Sequence, residues 1–446
     1  MTDAPLPPSI RSLRWSAATA AFQVEGARRE GGRGRSVWDD FVDTRGRVRD
    51  GSTAEPGPDS YHRHAEDVAL LAGLGVDRYR FSISWTRVLP DPEGLPNPAG
   101  IAYYDRLVDD LLAAGVTPFP TLYHWDLPTS LENEGGWLSR ETVERFVDYT
   151  TVVAEALSDR VRHWHTINEP VSTSLQGYAI GELAPGRALL FDALPTAHHQ
   201  LLAHGRAQQI LRDHGAAAVG IVNNHTHVRP AGDEEQHLEA AYAYDLIHNR
   251  LFADPVLLGS YPDLSPFGVD LPVRDGDLEL ISAPSDFYGV NFYNPTTIAA
   301  VEGPVPFAPV PTPGVPHTGF GELWPVRPEA LTAFLVDAAE RYGDRLPPIV
   351  IGENGASYPE SDHVEGEIDD AERIAYLDGH VRAVASAIEA GVRVEEYTVW
   401  SLLDNFEWAD GFTQRFGIVH VDHDTGERTP KASYRWYREL ISGARA

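Results

Sequence analysis

Short extended segments alternate with helical segments along the whole chain. In residues 61–74, for example, apolar side chains recur at helical spacing up to Gly75, and the extended segment 77–82 follows. The same step recurs until eight strands are predicted: 13–17, 77–82, 117–122, 163–168, 218–223, 285–291, and two that end at Glu353 and Trp400. This alternation is typical of a parallel sheet covered by helices. Eight such strands predict an α/β fold, a (β/α)8 TIM barrel, which places functional residues at the C-terminal ends of its strands.

One domain is expected to account for the whole chain. Its 446 residues are 42% hydrophobic, enough to bury a large core. This length exceeds the usual single domain unless the fold is a barrel with long loops, so we predict a single domain over residues 1–446 with its core at about 11–441. Residues 303–316 contain six prolines and little periodicity, which predicts a stiff, irregular loop at the rim of the barrel.

Composition disfavours several classes of partner. The formal net charge of -30 opposes binding to nucleic acid, to anionic membranes and to highly phosphorylated substrates. The chain has no cysteine, so disulfides, thiol catalysis and cysteine-based zinc sites are excluded. It shows no signal peptide and no apolar run long enough to span a membrane, and we therefore expect a cytoplasmic protein.

Two glutamates stand at the ends of two predicted strands. Glu353 follows the apolar segment 349–351 and precedes a turn formed by Asn354 and Gly355. Glu169 ends another extended segment and is followed directly by Pro170. Two carboxylates at two strand ends of one barrel suggest a general acid/base and a nucleophile.

Further polar and aromatic residues are predicted at the same edge of the barrel. They are Gln23, Arg80, His124, Asn168, Asn291, Tyr293, Trp400 and Glu407. Amide, imidazole and carboxyl groups can form paired hydrogen bonds with vicinal hydroxyls, and aromatic rings offer flat apolar faces to a pyranose ring. Any one aromatic residue is also compatible with a place in the core, but the set as a whole predicts a sugar pocket.

Seven segments resemble the signature blocks of glycoside hydrolase family 1, the β-glucosidases. They are TAAFQVEG (19–26), YRFSISW (79–85), YHWDLP (123–128), TINEP (166–170), NFY (291–293), ENG (353–355) and WSLLDNFEW (400–408). The likeness extends from about Trp15 to Tyr437. It implies a (β/α)8 barrel that needs no cofactor and acts on β-linked glycosides with retention of configuration. The implied substrates are small molecules, namely short β-glucosides and cello-oligosaccharides that lose a terminal, non-reducing β-D-glucosyl residue.

The resemblance also assigns roles to individual residues. It implies that Glu169 is the general acid/base and Glu353 the nucleophile. The residues that match positions holding the terminal sugar are Gln23, His124, Asn168, Tyr293, Glu407 and Trp408, with Trp400 beneath the ring and Trp324 as a platform for the leaving group. The residues expected to orient the nucleophile are Arg80, Asn291 and Tyr293.

Retention requires two carboxyl groups about 5 Å apart with different protonation states. Arg80 and Tyr293 are expected to donate hydrogen bonds to Glu353 and keep it ionised, and this negative neighbour is expected to keep Glu169 protonated. The chain departs from the family at Gly352, where threonine usually precedes the nucleophile. Glycine adds backbone freedom and is expected to loosen the end of this strand.

The sequence is also compatible with three alternative functions: a broad-specificity β-glycosidase acting on galactosides or fucosides, a phospho-β-glycosidase, and a sugar-binding protein without turnover. The presence of both carboxylates disfavours the last. Glu407 is expected to be an anion near the 6-position of the sugar, and it would repel a 6-phosphate by about 4 kcal/mol per charge pair at an effective dielectric constant of 20.

No metal ion is assigned. His225 and His227 could form a metal-binding pair, but without a nearby cysteine or paired carboxylates they are expected to be polar pocket residues. His62 and His64 are two positions apart on a predicted helix and face different directions. The sequence does not indicate an oligomeric state.

Overall fold

The computed structural model describes residues 7–360 and 366–445. Its centre is a closed barrel of eight parallel strands in sequential order. The strands are β1 (Arg14–Ala18), β2 (Arg78–Ser82), β3 (Thr117–Tyr123), β4 (His163–Asn168), β5 (Ala218–Asn224), β6 (Tyr288–Asn291), β7 (Ile349–Asn354) and β8 (Val394–Trp400). Strand β8 pairs with β1 and closes the sheet. The predicted (β/α)8 barrel is confirmed.

A longer helix precedes each strand from β2 onward, and one more follows β8. These helices are α1 (Ser60–Leu74), α2 (Pro98–Ala113), α3 (Glu141–Leu157), α4 (Pro195–Asp213), α5 (Glu235–Asp245, continued by Leu246–Arg250 and Leu251–Leu258), α6 (Glu329–Tyr342), α7 (Ala371–Glu389) and α8 (Ala432–Arg445). Shorter helical segments in the loops are Pro8–Ser12, Ala21–Val24, Val37–Asp43, Trp85–Val88, Thr129–Asn133, Gly136–Leu138, Ser172–Ile180, Leu190–Ala193, Ser265–Phe267, Asp277–Ile281, Gly343–Arg345 and Trp408–Asp410. Among the helices of residues 7–360 and 366–445, none combines the length and the hydropathy needed to cross a bilayer.

Helix α2 illustrates how local sequence sets a helix boundary and a buried face. The side-chain oxygen of Asn97 accepts a hydrogen bond from the N–H of Ala99 at 3.3 Å, which caps the helix. Pro98 occupies the first turn, where a backbone N–H has no acceptor within the helix, so the absence of this group in proline breaks no hydrogen bond. Tyr104 and Leu111, seven positions apart, lie on one face and are buried.

Strand β6 begins at Tyr288, three residues later than predicted. The reason is the side chain of Asp286, which accepts a hydrogen bond from the N–H of Val219 at 2.9 Å. This N–H is therefore bonded to a carboxylate rather than to a backbone carbonyl, and the regular ladder starts only afterwards.

The prediction of an irregular loop over residues 303–316 is partly wrong. Phe307–Val310 forms a strand that pairs antiparallel with Thr296–Ala300, which pairs in turn with Val228–Pro230. Phe307–Val310 lies at the edge of this small sheet, where a proline such as Pro309 removes no ladder hydrogen bond. The segment is held in place by burial of Phe307. A second small sheet pairs Val419–Val421 with Arg428–Pro430.

A buried cluster of charges joins the segments after β7 and β8 to the start of α8. Lys431 is the only lysine of the chain and is fully buried, and its ammonium lies 2.5 Å from Glu360 Oε2 and 2.9 Å from Asp404 Oδ1. Burial would raise the pKa of Asp404, but the charges of Lys431 and Arg415 outweigh it and hold this pKa well below its usual range. Glu360, Asp404 and His420 bring possible metal-ligand atoms within 4.8 Å of one another. The ammonium of Lys431 lies against both of these carboxylates.

Replacing Lys431 should be strongly destabilising. The variant Lys431→Met leaves the carboxylates of Glu360 and Asp404 buried without their cation, and we expect a loss of about 3–5 kcal/mol in the free energy of unfolding, measured by equilibrium denaturation in urea. Arg14→Met is the matched control, because the pair Arg14–Glu395 is exposed, at 3.3 Å. The control should lose about 1 kcal/mol or less. Equal losses in the two variants would contradict this account of the cluster.

Candidate active site

A cavity of about 920 Å³ lies at the C-terminal ends of the barrel strands. Its wall contains eight of the residues predicted from sequence: His124, Glu169, Tyr293, Trp324, Glu353, Trp400, Glu407 and Trp408. The other four, Gln23, Arg80, Asn168 and Asn291, are buried behind this wall. Each of them hydrogen-bonds to one wall residue: Gln23 to Glu407, Arg80 to Glu353, Asn168 to His124 and Asn291 to Glu169.

Glu353 lies near the end of β7 and is 3% exposed. One carboxylate oxygen forms an ion pair with the guanidinium of Arg80. The other accepts a hydrogen bond from the hydroxyl of Tyr293 at 2.6 Å. Arg80 also donates to the carbonyl of Gly352 at 3.1 Å, so the same cation holds the side chain of Glu353 and the backbone carbonyl that precedes it.

Gly352 is a point of close packing rather than a loose strand end. A Cβ atom at this position would lie 2.7 Å from Asn291 Oδ1 and 2.9 Å from a methyl carbon of Val222 in β5. Both distances are too short for real contacts, so a threonine would not fit here unless Val222 or Asn291 moved. Glycine at position 352 therefore leaves the space that the side chain of Val222 occupies.

Glu169 directly follows β4 and adopts a left-handed backbone conformation, with φ of 46°. Such conformations are uncommon for residues other than glycine and concentrate at functional sites. Its carboxyl accepts hydrogen bonds from Asn291 at 2.6 Å, Ser172 at 2.7 Å and Asn224 at 3.1 Å. These three donors fix the direction of the carboxyl group.

Burial raises the pKa of Glu169 to about 7, and the negative charge of Glu353 is the second cause. The sequence-based expectation named only the negative neighbour, whereas desolvation is the larger effect. The hydrogen bonds from Asn291, Ser172 and Asn224 act in the opposite direction. At neutral pH the protonated form of Glu169 is thus well populated.

A continuous set of hydrogen bonds connects the two glutamates. Arg80 contacts Glu353 and also donates to Asn168 Oδ1 at 2.5 Å. The same oxygen accepts from Asn291 at 3.1 Å, and Asn291 donates to Glu169. The strand-end residues therefore form one rigid polar unit beneath the cavity.

Sequence reasoning missed three residues that bind the predicted site residues. Ser172 and Asn224 bind Glu169, and Asn405 accepts a hydrogen bond from Gln23 at 3.0 Å. Asn224 ends β5, so the rule that identified the other strand-end residues could have found it. Ser172 and Asn405 lie beyond the strands, where spacing carries no such signal.

Aromatic rings enclose the deeper end of the cavity. The ring of Trp408 lies 4.6 Å from that of Trp125 and 4.5 Å from that of Trp38, and Trp400 stacks with His124 at 6.0 Å. Trp125 and Trp408 both have positive φ, 79° and 49°. Their backbones are thus held in unusual conformations by the packing around them.

Trp324 lies apart from this group. It is half-buried, stacks on Phe320 at 4.4 Å and lies 5.6 Å from the ring of Tyr293. It therefore occupies the wall between the buried end of the cavity and its mouth.

The surroundings of Glu407 oppose the ionisation that was expected from the sequence. Burial raises its pKa well above the usual range, and the charges of Asp410, Glu353 and Glu169 raise it further. Arg49, which lies outside this loop, also lines the cavity and pairs with Asp410 at 2.8 Å. The repulsion of a 6-phosphate that was expected from the sequence requires the ionised form of Glu407, and these surroundings disfavour that form.

The histidines of the site are uncharged polar residues. Burial and the charge of Arg80 lower the pKa of His124 well below its usual value. His225 uses both ring nitrogens within the protein, with Asn249 Oδ1 at 3.0 Å and the hydroxyl of Tyr288 at 2.9 Å. His225 and His227 thus do not present a free pair of ligands.

Comparison with known proteins decides the family. The sequence profile of glycosyl hydrolase family 1 matches residues 10–445. The chain belongs to glycosyl hydrolase family 1. β-Glucosidase A of Acetivibrio thermocellus is 41% identical over 439 residues, which are 96% of each chain. A bifunctional β-D-glucosidase/β-D-fucosidase of Bifidobacterium breve is 40% identical over 464 residues, which cover 97% of this chain and 98% of that protein.

Solved structures of the family have the same architecture. The psychrophilic β-glucosidase of Micrococcus antarcticus superimposes with a TM-score of 0.94 at 43% identity, covering 99% of this chain and 100% of the other. The β-glucosidase of Thermotoga maritima in complex with glucoimidazole gives a TM-score of 0.91 at 37% identity, covering 97% of this chain and 98% of the other. As a family 1 member, the protein is a glycoside hydrolase.

The hydroxyl of Ser172 should set the alkaline limit of activity. It stabilises the ionised form of Glu169, so Ser172→Ala should raise the pKa of this carboxyl and move the upper limb of the kcat/KM profile to higher pH, by about one pH unit. The control is Ser174→Ala, because Ser174 is buried on the same segment but bonds to Thr196 and Gln200. Its profile should match the parent, and a downward or equal movement in both variants would contradict the assignment.

Proposed function

We propose that the protein is a retaining, exo-acting β-glucosidase that removes terminal β-D-glucosyl residues from short β-glucosides, including cello-oligosaccharides. The observation that carries the proposal is the pair Glu169 and Glu353. Both line one cavity, and their surroundings differ: Glu353 receives a cation and a hydroxyl, whereas Glu169 is desolvated and has a pKa of about 7.

In the first step a carboxylate oxygen of Glu353 attacks the anomeric carbon. The bond to the leaving oxygen breaks, and Glu169 transfers its proton to that oxygen, so that a neutral alcohol departs. The raised pKa of Glu169 supports this role, since an acid must hold its proton at the pH of the reaction. The product of this step is a glycosyl ester on Glu353.

In the second step a water molecule attacks the ester from the side of Glu169. Glu169, now ionised, takes a proton from the water, and the bond to Glu353 breaks. Two inversions at the same carbon give overall retention. The hydrogen bonds from Asn291, Ser172 and Asn224 support this second role, because they stabilise the carboxylate form of Glu169.

The buried end of the cavity suits one terminal sugar. His124 and Glu407 line this end, and Gln23 is buried behind Glu407, to which it donates a hydrogen bond. His124 is uncharged at neutral pH and burial favours the neutral form of Glu407, so each can exchange hydrogen bonds with hydroxyls. Gln23 Oε1 has no hydrogen-bond partner in the described part of the chain and can accept from a hydroxyl. We assign the sugar 2-hydroxyl to Asn168, and the leaving group to the side of Trp324.

The two carboxylate roles can be tested by rescue with azide. Glu353→Gly should lose nearly all turnover of 4-nitrophenyl β-glucoside, and azide should restore it with the α-glycosyl azide as product. Glu169→Ala should still form the glycosyl ester from this activated substrate and should give the β-azide. The products are identified by NMR. An interchange of the two stereochemical outcomes would reverse the assignment.

A suitable control for azide rescue is Glu182→Ala. Glu182 is an exposed carboxylate on the same cavity wall. Its removal should yield no glycosyl azide of either configuration, which separates loss of a catalytic carboxylate from a general change of charge near the site.

Activity on β-fucosides is a second candidate. The relative from Bifidobacterium breve carries both activities in its name. Fucose lacks the 6-hydroxyl, and because burial favours the neutral form of Glu407, the absence of this hydroxyl costs less than it would beside an ionised carboxylate.

Both activities should arise from one site. We expect 4-nitrophenyl β-fucoside to be cleaved, and we expect a mixture with the glucoside to react more slowly than the sum of the separate rates, since the substrates compete. Glu353→Gly should abolish both activities. Additive rates, or no turnover of the fucoside, would contradict this candidate.

A further inference from the structure

A second cavity, of about 310 Å³, lies between helices α5 and α6. We call it the lateral cavity and define it by Tyr242, Asp245, Arg250, Phe334, Asp337 and Arg341, all of which line it. Its buried side includes Tyr288 and Val290 of β6. Among the residues that the structure describes, it shares only His225 and Thr226 with the wall of the active-site cavity. It is therefore a separate site and not an extension of the first.

The wall between the two cavities is held by buried hydrogen bonds. His225 uses both ring nitrogens, as described above, and one of its partners is the side-chain oxygen of Asn249. Asn249 in turn donates to Asp245 Oδ1 at 2.7 Å and to the carbonyl of Thr226 at 3.0 Å. This side of the lateral cavity is thus formed before any ligand arrives, and a ligand bound there needs no rearrangement of the active site.

The charged groups that line the lateral cavity are balanced. Arg250 and Arg341 are cations, and Asp245 and Asp337 are anions. Arg250 pairs with Asp245 at 2.5 Å, and Arg341 pairs with Asp254 at the same distance. A charged ligand would have to compete with these ion pairs, whereas an uncharged ligand leaves them in place. The cavity is therefore suited to a neutral ligand.

The two guanidinium groups retain hydrogen-bond donors. Each carries five N–H groups, and Asp245 accepts a hydrogen bond from the Nε of Arg250 alone. Arg341 uses its Nε and one terminal nitrogen on the carboxylate of Asp254. The N–H groups that remain can donate to the hydroxyls of a ligand.

His227 and Asp337 add further polar atoms to the lateral cavity. His227 Nδ1 is buried and has no hydrogen-bond partner in the described part of the chain. Its Nε2 lies 3.6 Å from Asp337 Oδ2, which is too long for a hydrogen bond. Burial lowers the pKa of this histidine, so its ring is uncharged at neutral pH and can donate or accept. A ligand hydroxyl would satisfy the buried nitrogen.

Aromatic and apolar surfaces complete the lining. The ring of Phe334 stacks on that of His225 at 4.8 Å, and Ala338 also lines the cavity. Tyr242 is 55% exposed, and the guanidinium of Arg250 lies 5.1 Å from the centre of its ring. Flat apolar faces beside hydrogen-bonding groups suit a molecule that has C–H faces and a rim of hydroxyls.

We propose that the lateral cavity binds an uncharged monosaccharide. Its volume is at the lower end of the range for ligand pockets, about 300–1,000 Å³, which suits a single sugar ring. The balanced charges favour a neutral ligand, the retained N–H groups and Asp337 bind hydroxyls, and the aromatic rings contact the C–H faces. The inference is independent of the proposed β-glucosidase function, because it concerns binding outside the catalytic cavity.

The test is saturation-transfer NMR with glucose as the probe. An excess of 1-deoxynojirimycin, a cationic glucose analogue, is present throughout to fill the catalytic cavity, whose carboxylates attract its charge, whereas the lateral cavity offers it no net charge. Glucose should still receive saturation from the protein and should titrate in the millimolar range. Loss of the glucose signal in the presence of the analogue would overturn the inference.

Two variants of α6 locate the binding. Ala338→Phe fills the wall of the lateral cavity and should weaken glucose binding by about tenfold or more. Asp337→Ala removes an acceptor and should weaken it by about threefold or more. Because Asp337 is exposed, the second variant tests the site even where Ala338→Phe disturbs the fold.

Each variant has a control on the same helix. Ala333→Phe adds the same ring at a partly buried position, and Glu340→Ala removes an exposed carboxylate. Neither residue lines the lateral cavity, so both controls should keep the parent affinity. Equal affinities in a variant and its control would place the glucose elsewhere and overturn the inference.

Three further probes test the class of ligand. Glucuronate adds a negative charge to the same ring, and cyclohexanol lacks most of the hydroxyls, so each should bind about tenfold more weakly than glucose or worse. Cellobiose, measured with the catalytic cavity filled, should bind no more tightly than glucose, because one ring fits. Tighter binding of any of the three would overturn the assignment to a neutral monosaccharide.

Turnover of 4-nitrophenyl β-glucoside is a separate readout. Ala338→Phe and Asp337→Ala should keep this activity, since neither residue lines the catalytic cavity. Absence of turnover in the parent protein would overturn the β-glucosidase proposal and leave the glucose titration as the measure of the lateral cavity. Normal turnover without glucose binding to the lateral cavity would do the reverse.

Discussion

The buried guanidinium of Arg80 holds the catalytic end of the barrel together. Its side chain is almost fully enclosed, and it binds Glu353, the carbonyl of Gly352 and the side chain of Asn168. A buried cation without partners would be strongly destabilising, so these contacts must be kept. They join β2, β4 and β7, which are not neighbours in the sheet and meet only because the sheet is closed.

The two carboxylates differ because their surroundings differ, not because of their residue type. Glu353 faces a cation and a hydroxyl, whereas Glu169 lies in a desolvated position with a raised pKa. A retaining mechanism needs this division between a nucleophile that carries charge and an acid that carries a proton. The hydrogen bonds through Asn168 and Asn291 keep the two groups in fixed relation while their charges change.

The loops around the site are held by buried polar groups as much as by apolar packing. Asp404 receives hydrogen bonds or ion pairs from Lys431, Arg415 and the N–H of Gly417, and this fixes the start of the segment that carries Glu407 and Trp408. The end of the cavity that contains Glu407 and Trp408 is therefore supported by bonded polar groups.

The sequence by itself determined the barrel and the two glutamates. Helical and extended periodicity are local properties, and the rule that parallel strands present their C-terminal ends together then places Glu169 and Glu353 at one edge. The seven family blocks added the other residues of the predicted sugar pocket. Tertiary structure alone decided which of these line the cavity and which, like Gln23 and Arg80, lie behind it. It also decided that burial favours the neutral form of Glu407, that desolvation is the main cause of the raised pKa of Glu169, and that residues 307–310 form a strand. These properties depend on burial and on contacts between segments distant in the chain. Neither burial nor such contacts can be deduced from a local pattern of residues.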